Sequence, residues 1–309
     1  MLHRLWSDGR VNSSMSIGLV ALDLDGTLLN SRGELSARNT RAIALARERG
    51  VRVALVTGRR FRDARPLALH LGLDVPVIAH NGALTKHART LETVAALLLP
   101  VEAAQEVVRV GRAHGADPLV SDDHEGAGLL VYDHINENNH ALANYIAWSR
   151  RIVGDEAEAA VRQVASLAAY LDHAPVHIAF SGDCIGMERL SKTMADELGA
   201  SVKLLLTLYP KKDFALLDVL HAEASKGAGL SAVAAEYGLT RDEVMAVGDN
   251  LNDLEMLYYA GTGVVMGNAE PILRDNKTFN LTTTNDRDGV ALAIEHFVLK
   301  DERGGMWDE

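Results

Sequence analysis

The sequence is poor in cysteine and has no long hydrophobic run. Cys184 is its one cysteine in 309 residues, which excludes an internal disulfide and is typical of a protein from a reducing cytoplasm. No stretch approaches the roughly 18 apolar residues that a membrane-spanning helix needs. The first residues do not resemble a secretory signal, because Arg4, Asp8 and Arg10 come early. We therefore expect a cytoplasmic protein that makes no contact with a membrane.

Positive charge is also scarce. The chain has 31 Lys and Arg residues against 42 Asp and Glu residues, which gives a net charge of -11. This balance argues against a nucleic-acid-binding surface, which needs clustered basic side chains. An anionic substrate would have to be attracted by local positive groups, because the overall field of the protein repels it. Apolar residues are abundant, at 48% of the total, which is enough for a large core and for two domains.

Five short apolar runs predict a parallel β-sheet. They are Ile17–Leu22, Val51–Val56, Val75–Ala79, Val244–Val247 and Gly263–Met266. Each run is continuous rather than alternating, as in strands that are covered on both faces. Helical patterns lie between them; in residues 36–49, for example, Ser36 can cap the start and Gly50 can end the helix. The repetition of strand and helix predicts an α/β fold with a doubly wound parallel sheet.

The middle of the chain has a different pattern. Helices are predicted at Val101–His114, Asn138–Arg150, Glu156–Leu171 and Met187–Leu198, and strands at Leu129–Tyr132, Val176–Phe180 and Val202–Leu208. We therefore expect an α+β domain over residues 85–212, inserted into a core formed by 16–84 and 213–309. The apolar segment Phe214–Val219 is expected to return the chain to the core, and residues 1–15 are expected to be an irregular lead-in.

Polar side chains follow the end of each predicted core strand. They are Asp23 and Asp25, Thr57, Asn81, Asp249 and Asn268. In a parallel sheet the carboxyl ends of the strands share one edge, and ligands bind there. Each of these residues taken singly is explained by a sheet edge that meets solvent. The acids and the glycine-containing turns among them favour a functional site instead.

Four carboxylates would share this edge. They belong to Asp23, Asp25, Asp249 and Asp253, and a helix that begins after Asp249 would turn Asp253 to the same side. Two like charges about 4 Å apart repel by roughly 4 kcal/mol when the effective dielectric is about 20. The group therefore needs a cation. Oxygen ligands favour a hard divalent ion, and Mg²⁺ fits best because it keeps waters that a substrate can displace.

Other side chains complement these acids. The ammonium of Lys226 can hold a phosphate oxygen, and the hydroxyl of Thr57 with the free amides around Gly58 can hold another. An acid pair, a metal, a lysine and a hydroxyl together make a phosphoryl-transfer site.

Four elements in this order resemble the four motifs of the haloacid dehalogenase (HAD) superfamily. They are Asp-Leu-Asp-Gly-Thr at 23–27, Thr-Gly-Arg at 57–59, Ser-Lys-Gly at 225–227 and Gly-Asp-Asn-Leu-Asn-Asp at 248–253. The segments 81–83, 263–269 and 288–290 add a resemblance to the Cof-like phosphatases of subclass IIB, whose cap domain is inserted between the third strand and the third motif. The resemblance covers about 16–300. It implies a HAD-like Rossmannoid core with an inserted cap.

The resemblance also implies a mechanism. Asp23 is expected to attack phosphorus and form an aspartyl-phosphate, while Asp25 acts as acid and then as base. Mg²⁺ is expected to be bound by Asp23, by the backbone carbonyl of Asp25 and by Asp249, with support from Asp253.

The resemblance further implies which residues hold the substrate. The expected phosphate ligands are Leu24, Thr57, Gly58, Lys226 and Asn252. Asn81 and Arg59 are candidates for substrate contact, although Arg59 could equally cover the start of a helix. The inserted domain is expected to exclude bulk water and to read the leaving group.

Three functions fit this set of residues. The first is a Mg²⁺-dependent phosphatase of small phosphorylated metabolites, such as sugar phosphates, nucleotides or phosphorylated cofactors. The second is a phosphosugar mutase of the same fold, and the third is a binding protein for phosphorylated metabolites without catalysis. The presence of Asp25 argues against the third, and also against dehalogenation, because the dehalogenase branch of the superfamily lacks this aspartate.

Four further patterns have simpler interpretations. The segment that begins at Asp23 matches a calcium loop except that Leu28 replaces the glycine at its sixth position. Residues 261–267 resemble a dinucleotide loop but have one residue too many. The histidines of the insert do not have the spacing of a zinc site. The acidic stretch 122–125 is interpreted as a solvated loop that could still face the substrate.

Overall fold

The computed structural model describes residues 16–151 and 160–300, which form two compact units. Among the described residues, the larger unit contains 16–59, 63–94 and 225–300. The smaller unit contains residues 60–62 and 95–224. The expected lead-in over residues 1–15 lies outside the described residues.

The described residues form fourteen strands and ten α-helices. The strands are β1 (Leu19–Asp23), β2 (Arg52–Val56), β3 (Val77–Ala79), β4 (Leu84–Lys86), β5 (Thr93–Ala96), β6 (Leu119–Asp122), β7 (Leu129–Tyr132), β8 (Val161–Gln163), β9 (His177–Gly182), β10 (Val202–Tyr209), β11 (Phe214–His221), β12 (Val244–Gly248), β13 (Thr262–Val265) and β14 (Asn280–Leu281). The helices are α1 (Ala37–Glu48), α2 (Phe61–His70), α3 (Val101–Ala113), α4 (His140–Arg151), α5 (Leu167–Tyr170), α6 (Cys184–Leu198), α7 (Lys226–Glu236), α8 (Leu254–Tyr259), α9 (Pro271–Arg274) and α10 (Gly289–Phe297).

The larger unit is built on an eight-stranded sheet with the order β14-β13-β12-β1-β2-β3-β4-β5. The strands from β14 to β3 pair in parallel, and β4 runs antiparallel to β3. The five apolar runs of the sequence form the five strands β13, β12, β1, β2 and β3. All five residues of β1 are buried, as a strand covered on both faces requires. The predicted doubly wound parallel sheet is confirmed.

The strand order puts the ends of four strands side by side. β1 lies between β12 and β2, and Asp23 is in register with Val56. The chain runs outward from β1 through β2 to β3, and it later adds β12 and β13 on the opposite side of β1. The strand order therefore reverses at β1. A crevice for ligands opens at the carboxyl ends of the strands at such a point.

Helix α1 shows how local sequence sets the boundaries of an element. The Ser36 side chain caps its first turn by accepting a hydrogen bond from the amide of Asn39 at 3.1 Å. Gly50 follows its end with a left-handed φ of +80°, a conformation that glycine adopts without strain. Ile43 and Ala46 face the core. The predicted helix, cap and terminating glycine are confirmed.

The smaller unit is built on a six-stranded sheet with the order β10-β11-β9-β6-β7-β8. Its pairings are antiparallel except for the parallel pair β7 and β8. Helices α3 and α6 contribute Val107, Leu190 and Met194 to a core that also contains Phe180 of β9 and Leu217 of β11. Helix α4 contributes Leu142 and Ile146 to a second cluster with Leu119, Leu130 and Tyr132. This is an α+β arrangement, as the sequence predicts.

Two expectations for this part of the chain are wrong. The segment Phe214–Val219 does not return the chain to the core, because β11 pairs with β10 and β9 in the smaller sheet. The smaller unit accordingly extends to residue 224, and it begins at residue 95 rather than 85. The helix predicted over Glu156–Leu171 is wrong for its described part, where β8 is followed by the short helix α5, while residues 152–159 lie outside the described residues.

A helix that crosses a lipid bilayer must be long and apolar. Among the helices that the structure describes, none has both the length and the apolar character that crossing a membrane demands.

Candidate active site

The turn after β1 depends on a glycine that lets two chain segments meet. Gly26 has a φ of +86°, and a Cβ at this position would lie 2.2 Å from Oδ2 of Asp249. Any other residue would therefore collide with that carboxylate. Asp23, the last residue of β1, is buried at 5% exposure, and Leu24 is fully buried. The side chain of Asp25, in contrast, is 60% exposed.

The turn after β12 directs the carboxylate of Asp253 back toward the strand end. Oδ2 of Asp253 accepts hydrogen bonds from the amide of Asp249 at 2.9 Å and from the amide of Asn250 at 3.0 Å. A Cβ on Gly248 would lie 2.6 Å from this carboxylate, so the glycine makes room for it. Asp249 is itself oriented by the hydroxyl of Thr27, which donates to its Oδ1 at 3.1 Å. The two acids of this segment therefore lie together, as their spacing predicts.

Lys226 joins the acids of the two turns. It is the first residue of α7, whose start is capped by the Ser225 side chain. The lysine is buried at 2% exposure, and its Nζ donates to Oδ1 of Asp23 at 2.7 Å and to Oδ1 of Asp253 at 2.5 Å. A buried ammonium needs such partners, because an unpaired charge in the interior is strongly destabilising.

Three carboxylates thus share one lysine. Burial, followed by repulsion from Asp253, raises the pKa of Asp249 to about 7. The pKa of Asp23 is also raised, by burial first and by the charges of Asp253 and Asp249, while Lys226 acts in the opposite direction. Burial alone would lower the pKa of Lys226, but attraction to Asp23 and Asp253 outweighs it and the pKa is raised. The lysine therefore stays charged, and the site keeps an excess of negative charge.

These residues fit a divalent cation. One ligand atom each from Asp23, Asp249 and Asp253 can be chosen so that the three atoms lie within 4.8 Å of one another. All three are carboxylate oxygens, the ligand type of hard divalent ions. Both oxygens of Asp253 already have partners, in Lys226 and in two backbone amides, whereas Oδ2 of Asp23 makes no hydrogen bond to any described residue. Asp23 and Asp249 are therefore the best placed to bind an ion, with Asp253 in support.

The turn after β2 contributes a hydroxyl and a guanidinium. Thr57 is buried, and its Oγ1 accepts a hydrogen bond from the amide of Arg59 at 3.1 Å. The guanidinium of Arg59 binds both oxygens of Asp25, with distances of 2.8 Å from Nε and 2.6 Å from Nη2. This pairing fixes Asp25, the exposed acid of the site, while the two roles expected for Arg59, substrate contact and cover of a helix start, stay predictions.

Asn81 and Asn252 lie at the same edge. The side chain of Asn252 donates from Nδ2 to Oδ1 of Asn81 at 2.9 Å. The amide of Asn81 lies against Gly58, where an added Cβ would be 3.1 Å from its Nδ2. The residues that the sequence analysis selected are thus linked by direct contacts within the larger unit; they are Asp23, Leu24, Asp25, Thr57, Gly58, Arg59, Asn81, Lys226, Asp249, Asn252 and Asp253.

Two residues that contact the site had no role assigned to them from the sequence. Thr27 orients Asp249, and the side chain of Asn268 donates to the carbonyl of Gly26 at 2.8 Å. Both were visible as polar residues beside glycines at strand ends. Their partners could not be inferred, because 222 and 242 residues separate the members of these two pairs.

The alternative sites find no support in the described residues. The segment before Asp23 is the strand β1, whereas a calcium loop of the EF-hand type needs a helix there. Residues 262–265 form the strand β13 rather than a dinucleotide loop. The acids of the larger unit are the one group of His, Cys, Asp or Glu side chains, within 16–151 and 160–300, that is arranged to hold a metal.

Comparisons with known proteins agree with this site. Residues 20–294 match the family of haloacid dehalogenase-like hydrolases. The chain is 31% identical to the pyridoxal phosphate phosphatase YbhA of Escherichia coli, over 84% of this chain and 91% of that protein. It is 30% identical to the 5-amino-6-(5-phospho-D-ribitylamino)uracil phosphatase YwtE of Bacillus subtilis, over 90% of this chain and 97% of the relative.

A solved structure gives the same result for the fold. A haloacid dehalogenase-like hydrolase from Bacteroides thetaiotaomicron superimposes with a TM-score of 0.75 at 27% identity, and the match covers 91% of this chain and 99% of that one. The family match spans most of the chain and includes both strand ends that carry the acids. The protein therefore belongs to the haloacid dehalogenase-like hydrolases, in the Cof-like group.

Proposed function

We propose that the protein is a Mg²⁺-dependent phosphatase that hydrolyses small phosphorylated metabolites through an aspartyl-phosphate on Asp23. The observation that carries this proposal is the asymmetric environment of the Asp23 carboxylate. One oxygen is held by Lys226 at 2.7 Å, and the other has no hydrogen-bond partner among the described residues. A buried carboxylate with one fixed and one unused oxygen is suited to nucleophilic attack.

The chemistry of the first step follows from these contacts. Lys226 favours the ionised form of Asp23 and orients it, and the attacking oxygen forms a bond to phosphorus as the bond to the leaving oxygen breaks. For this step Asp25 is protonated and released from its pairing with Arg59, and it gives its proton to that leaving oxygen. It then takes a proton from the water that attacks the aspartyl-phosphate, which releases phosphate and restores Asp23.

A divalent cation would be held by the carboxylates of Asp23 and Asp249 and by the backbone carbonyl of Asp25, with Asp253 in support. When bound, it offsets the repulsion between an anionic nucleophile and an anionic phosphate. We name Mg²⁺ because every donor of the set is a hard oxygen. Phosphate would be held by Lys226, Thr57, Asn252 and the amides of Leu24 and Gly58.

The two relatives guide the choice of substrates. One is named for pyridoxal phosphate and the other for a phosphorylated ribitylaminouracil, so both names describe phosphate esters of molecules that contain a nitrogen heterocycle. We propose substrates of this kind, along with sugar phosphates and nucleotides, as the first to test. The role of the inserted unit as a cap that reads the leaving group stays a prediction, as does a location in the cytoplasm.

The test is phosphate release from such a panel, with and without Mg²⁺, by the parent and by Asp23→Asn. The variant keeps the size of the side chain and can still contact Lys226, but it cannot form an aspartyl-phosphate. We expect Mg²⁺-dependent turnover by the parent and none by the variant. Equal rates in the two proteins would refute the mechanism. Formation of an isomeric sugar phosphate without release of free phosphate would identify a mutase. Tight substrate binding without turnover would identify a binding protein.

A further inference from the structure

The turn after β3 has an unusual backbone. His80, Asn81 and Gly82 follow one another with φ values of +50°, +52° and +90°. Left-handed conformations are uncommon for residues other than glycine, and each one costs of order 1–3 kcal/mol unless the surroundings favour it. Two such residues in succession, directly before a glycine, are therefore a reason to ask what the turn positions.

The turn touches two of the segments that build the active site. The amide of His80 donates to the carbonyl of Arg59 at 2.9 Å, and the amide of Asn81 donates to the carbonyl of Thr57 at 3.0 Å. A Cβ on Gly82 would lie 1.8 Å from the carbonyl oxygen of Ser225, the residue before Lys226. The left-handed run therefore fits tightly between the turn after β2 and the start of α7.

The side chain of Asn81 is buried at 4% exposure. Its oxygen is used, because Oδ1 accepts the hydrogen bond from Asn252. Its nitrogen is not, because Nδ2 donates to no group within the described residues. Most polar atoms of buried side chains have a partner, so this unused donor is available to an incoming acceptor.

A second unused donor lies beside it. Oγ1 of Thr57 accepts from the amide of Arg59, but its own hydrogen reaches no acceptor within residues 16–151 and 160–300. Thr57 and Asn81 flank Gly58, which has no side chain to separate them. Two unused donors on buried side chains, at the carboxyl ends of parallel strands, suit a ligand that offers acceptor oxygens and carries negative charge.

We propose that Asn81 binds the phosphoryl group directly, with Nδ2 donating a hydrogen bond to one of its non-bridging oxygens. This inference rests on the proposed phosphatase function and adds a ligand from outside the four motifs. The strained backbone then has a purpose, since it holds the carboxamide in place before the substrate arrives.

A purely conformational role is the alternative, because asparagine tolerates the left-handed region better than most residues. Asn81→Gly separates the two roles. Glycine adopts a φ of +52° without strain but has no carboxamide. Asn81→Asp keeps the shape and the acceptor for Asn252 but places a negative charge where the phosphate would bind.

The experiment measures turnover of p-nitrophenyl phosphate with Mg²⁺, inhibition by inorganic phosphate, and thermal unfolding. For Asn81→Gly we expect the inhibition constant of phosphate to rise and kcat/KM to fall, each by about 10- to 100-fold, since one hydrogen bond to a charged group is lost. The loss in Asn81→Asp should be larger. Leu91→Gly is the matched control, because Leu91 is also left-handed, with a φ of +64°, and lies outside the site.

The outcomes separate this inference from the proposed function. The inference is overturned if a folded Asn81→Gly protein has the inhibition constant and turnover of the parent. This holds even if Asn81→Ala has lower turnover, because the left-handed backbone alone would then explain why position 81 is an asparagine. If Asp23→Asn is inactive while Asn81→Gly is parental, this inference fails and the phosphatase mechanism stands. If Asp23→Asn retains turnover, the phosphatase mechanism fails first and the role of Asn81 falls with it.

Discussion

Each unit buries acidic side chains, but the two units differ in how completely these acids are paired with hydrogen-bond donors. In the smaller unit, Asp117 is buried at 1% exposure and accepts four hydrogen bonds. The donors are the guanidinium of Arg112, the backbone and side chain of Asn136, and the side chain of Asn139, at 2.8–3.0 Å. Every oxygen lone pair that faces the interior has a partner, and the charge is neutralised locally.

In the larger unit, by contrast, Asp23, Asp249 and Asp253 lie together, and Lys226 donates hydrogen bonds to Asp23 and Asp253. Repulsion and burial raise the pKa values of Asp23 and Asp249. Burial of an acid is therefore common to both units and does not identify a site. The informative feature is the imbalance, because an acid without enough donors is destabilising unless a ligand or a cation completes it.

The largest expected effect comes from removing one acid of this incompletely paired group. Asp249→Asn should lower kcat/KM by about a thousandfold, because a cation ligand worth several kcal/mol is removed. The same change should raise stability measured without divalent cations. The folded pKa of about 7 lies above the unfolded value of 3.8, so the charge destabilises the protein fully above pH 7. We expect a gain of about 4 kcal/mol at pH 8 by denaturant unfolding in EDTA. A loss of stability would contradict the interpretation.

The corresponding change in the smaller unit should have the opposite result. Asp117→Ala removes the common acceptor of Arg112, Asn136 and Asn139, which should cost about 3 kcal/mol of unfolding free energy even though Arg112 keeps Asp133 as a partner. The kcat/KM of the folded fraction should stay within about twofold of the parent if this network is only structural. Denaturant unfolding and active-site titration check the two quantities. A large fall in kcat/KM at full folding would show that the network also serves catalysis.

Added Mg²⁺ should bind the acidic side chains of the larger unit and should not affect those of the smaller unit. At a hundred times its dissociation constant, a bound ion stabilises the folded state by about 2.7 kcal/mol. The shift should be present in the parent and in Asp117→Ala, and absent in Asp249→Asn. Differential scanning fluorimetry over a Mg²⁺ titration gives this comparison. An equal shift in all three proteins would place the ion elsewhere.

The smallest effect concerns a second acid of the smaller unit. His173 contacts Asp172 and Asp122 at 2.7 Å each, and these hydrogen bonds raise its pKa. The stabilisation is therefore complete below about pH 6.5 and is lost as the pH rises through the raised value. Because the histidine side chain is 46% exposed, we expect less than about 1 kcal/mol.

His173→Gln tests that sign. It should destabilise the protein more at pH 5.5 than at pH 8.5. Tyr170, which also contacts Asp122, has a raised pKa and stays neutral throughout this range. The pKa of Asp122 is lowered, since hydrogen bonds from Tyr170 and His173 outweigh its burial, so its charge does not change in the range either. A greater effect at pH 8.5 would contradict the assignment.

The sequence was sufficient to predict the five core strands whose carboxyl ends carry the candidate site. Continuous apolar runs mark strands buried on both faces, and β12, for example, begins at the predicted Val244. Polar residues after such strands must meet at one sheet edge, which is why Asp23, Thr57 and Asp249 could be grouped without coordinates. Local signals such as the Ser36 cap also depend only on nearby residues.

Partners distant in sequence were decided by the tertiary structure alone. Nothing in the sequence indicates that β11 joins the smaller sheet, because an apolar run specifies burial but not its neighbour. In the same way, Arg59 pairs with Asp25, and Asn252 reaches Asn81 across 171 residues. Composition and periodicity determine which side chains are buried. The register of packed strands and turns determines which of them touch, since hydrogen bonds require atoms within about 3 Å.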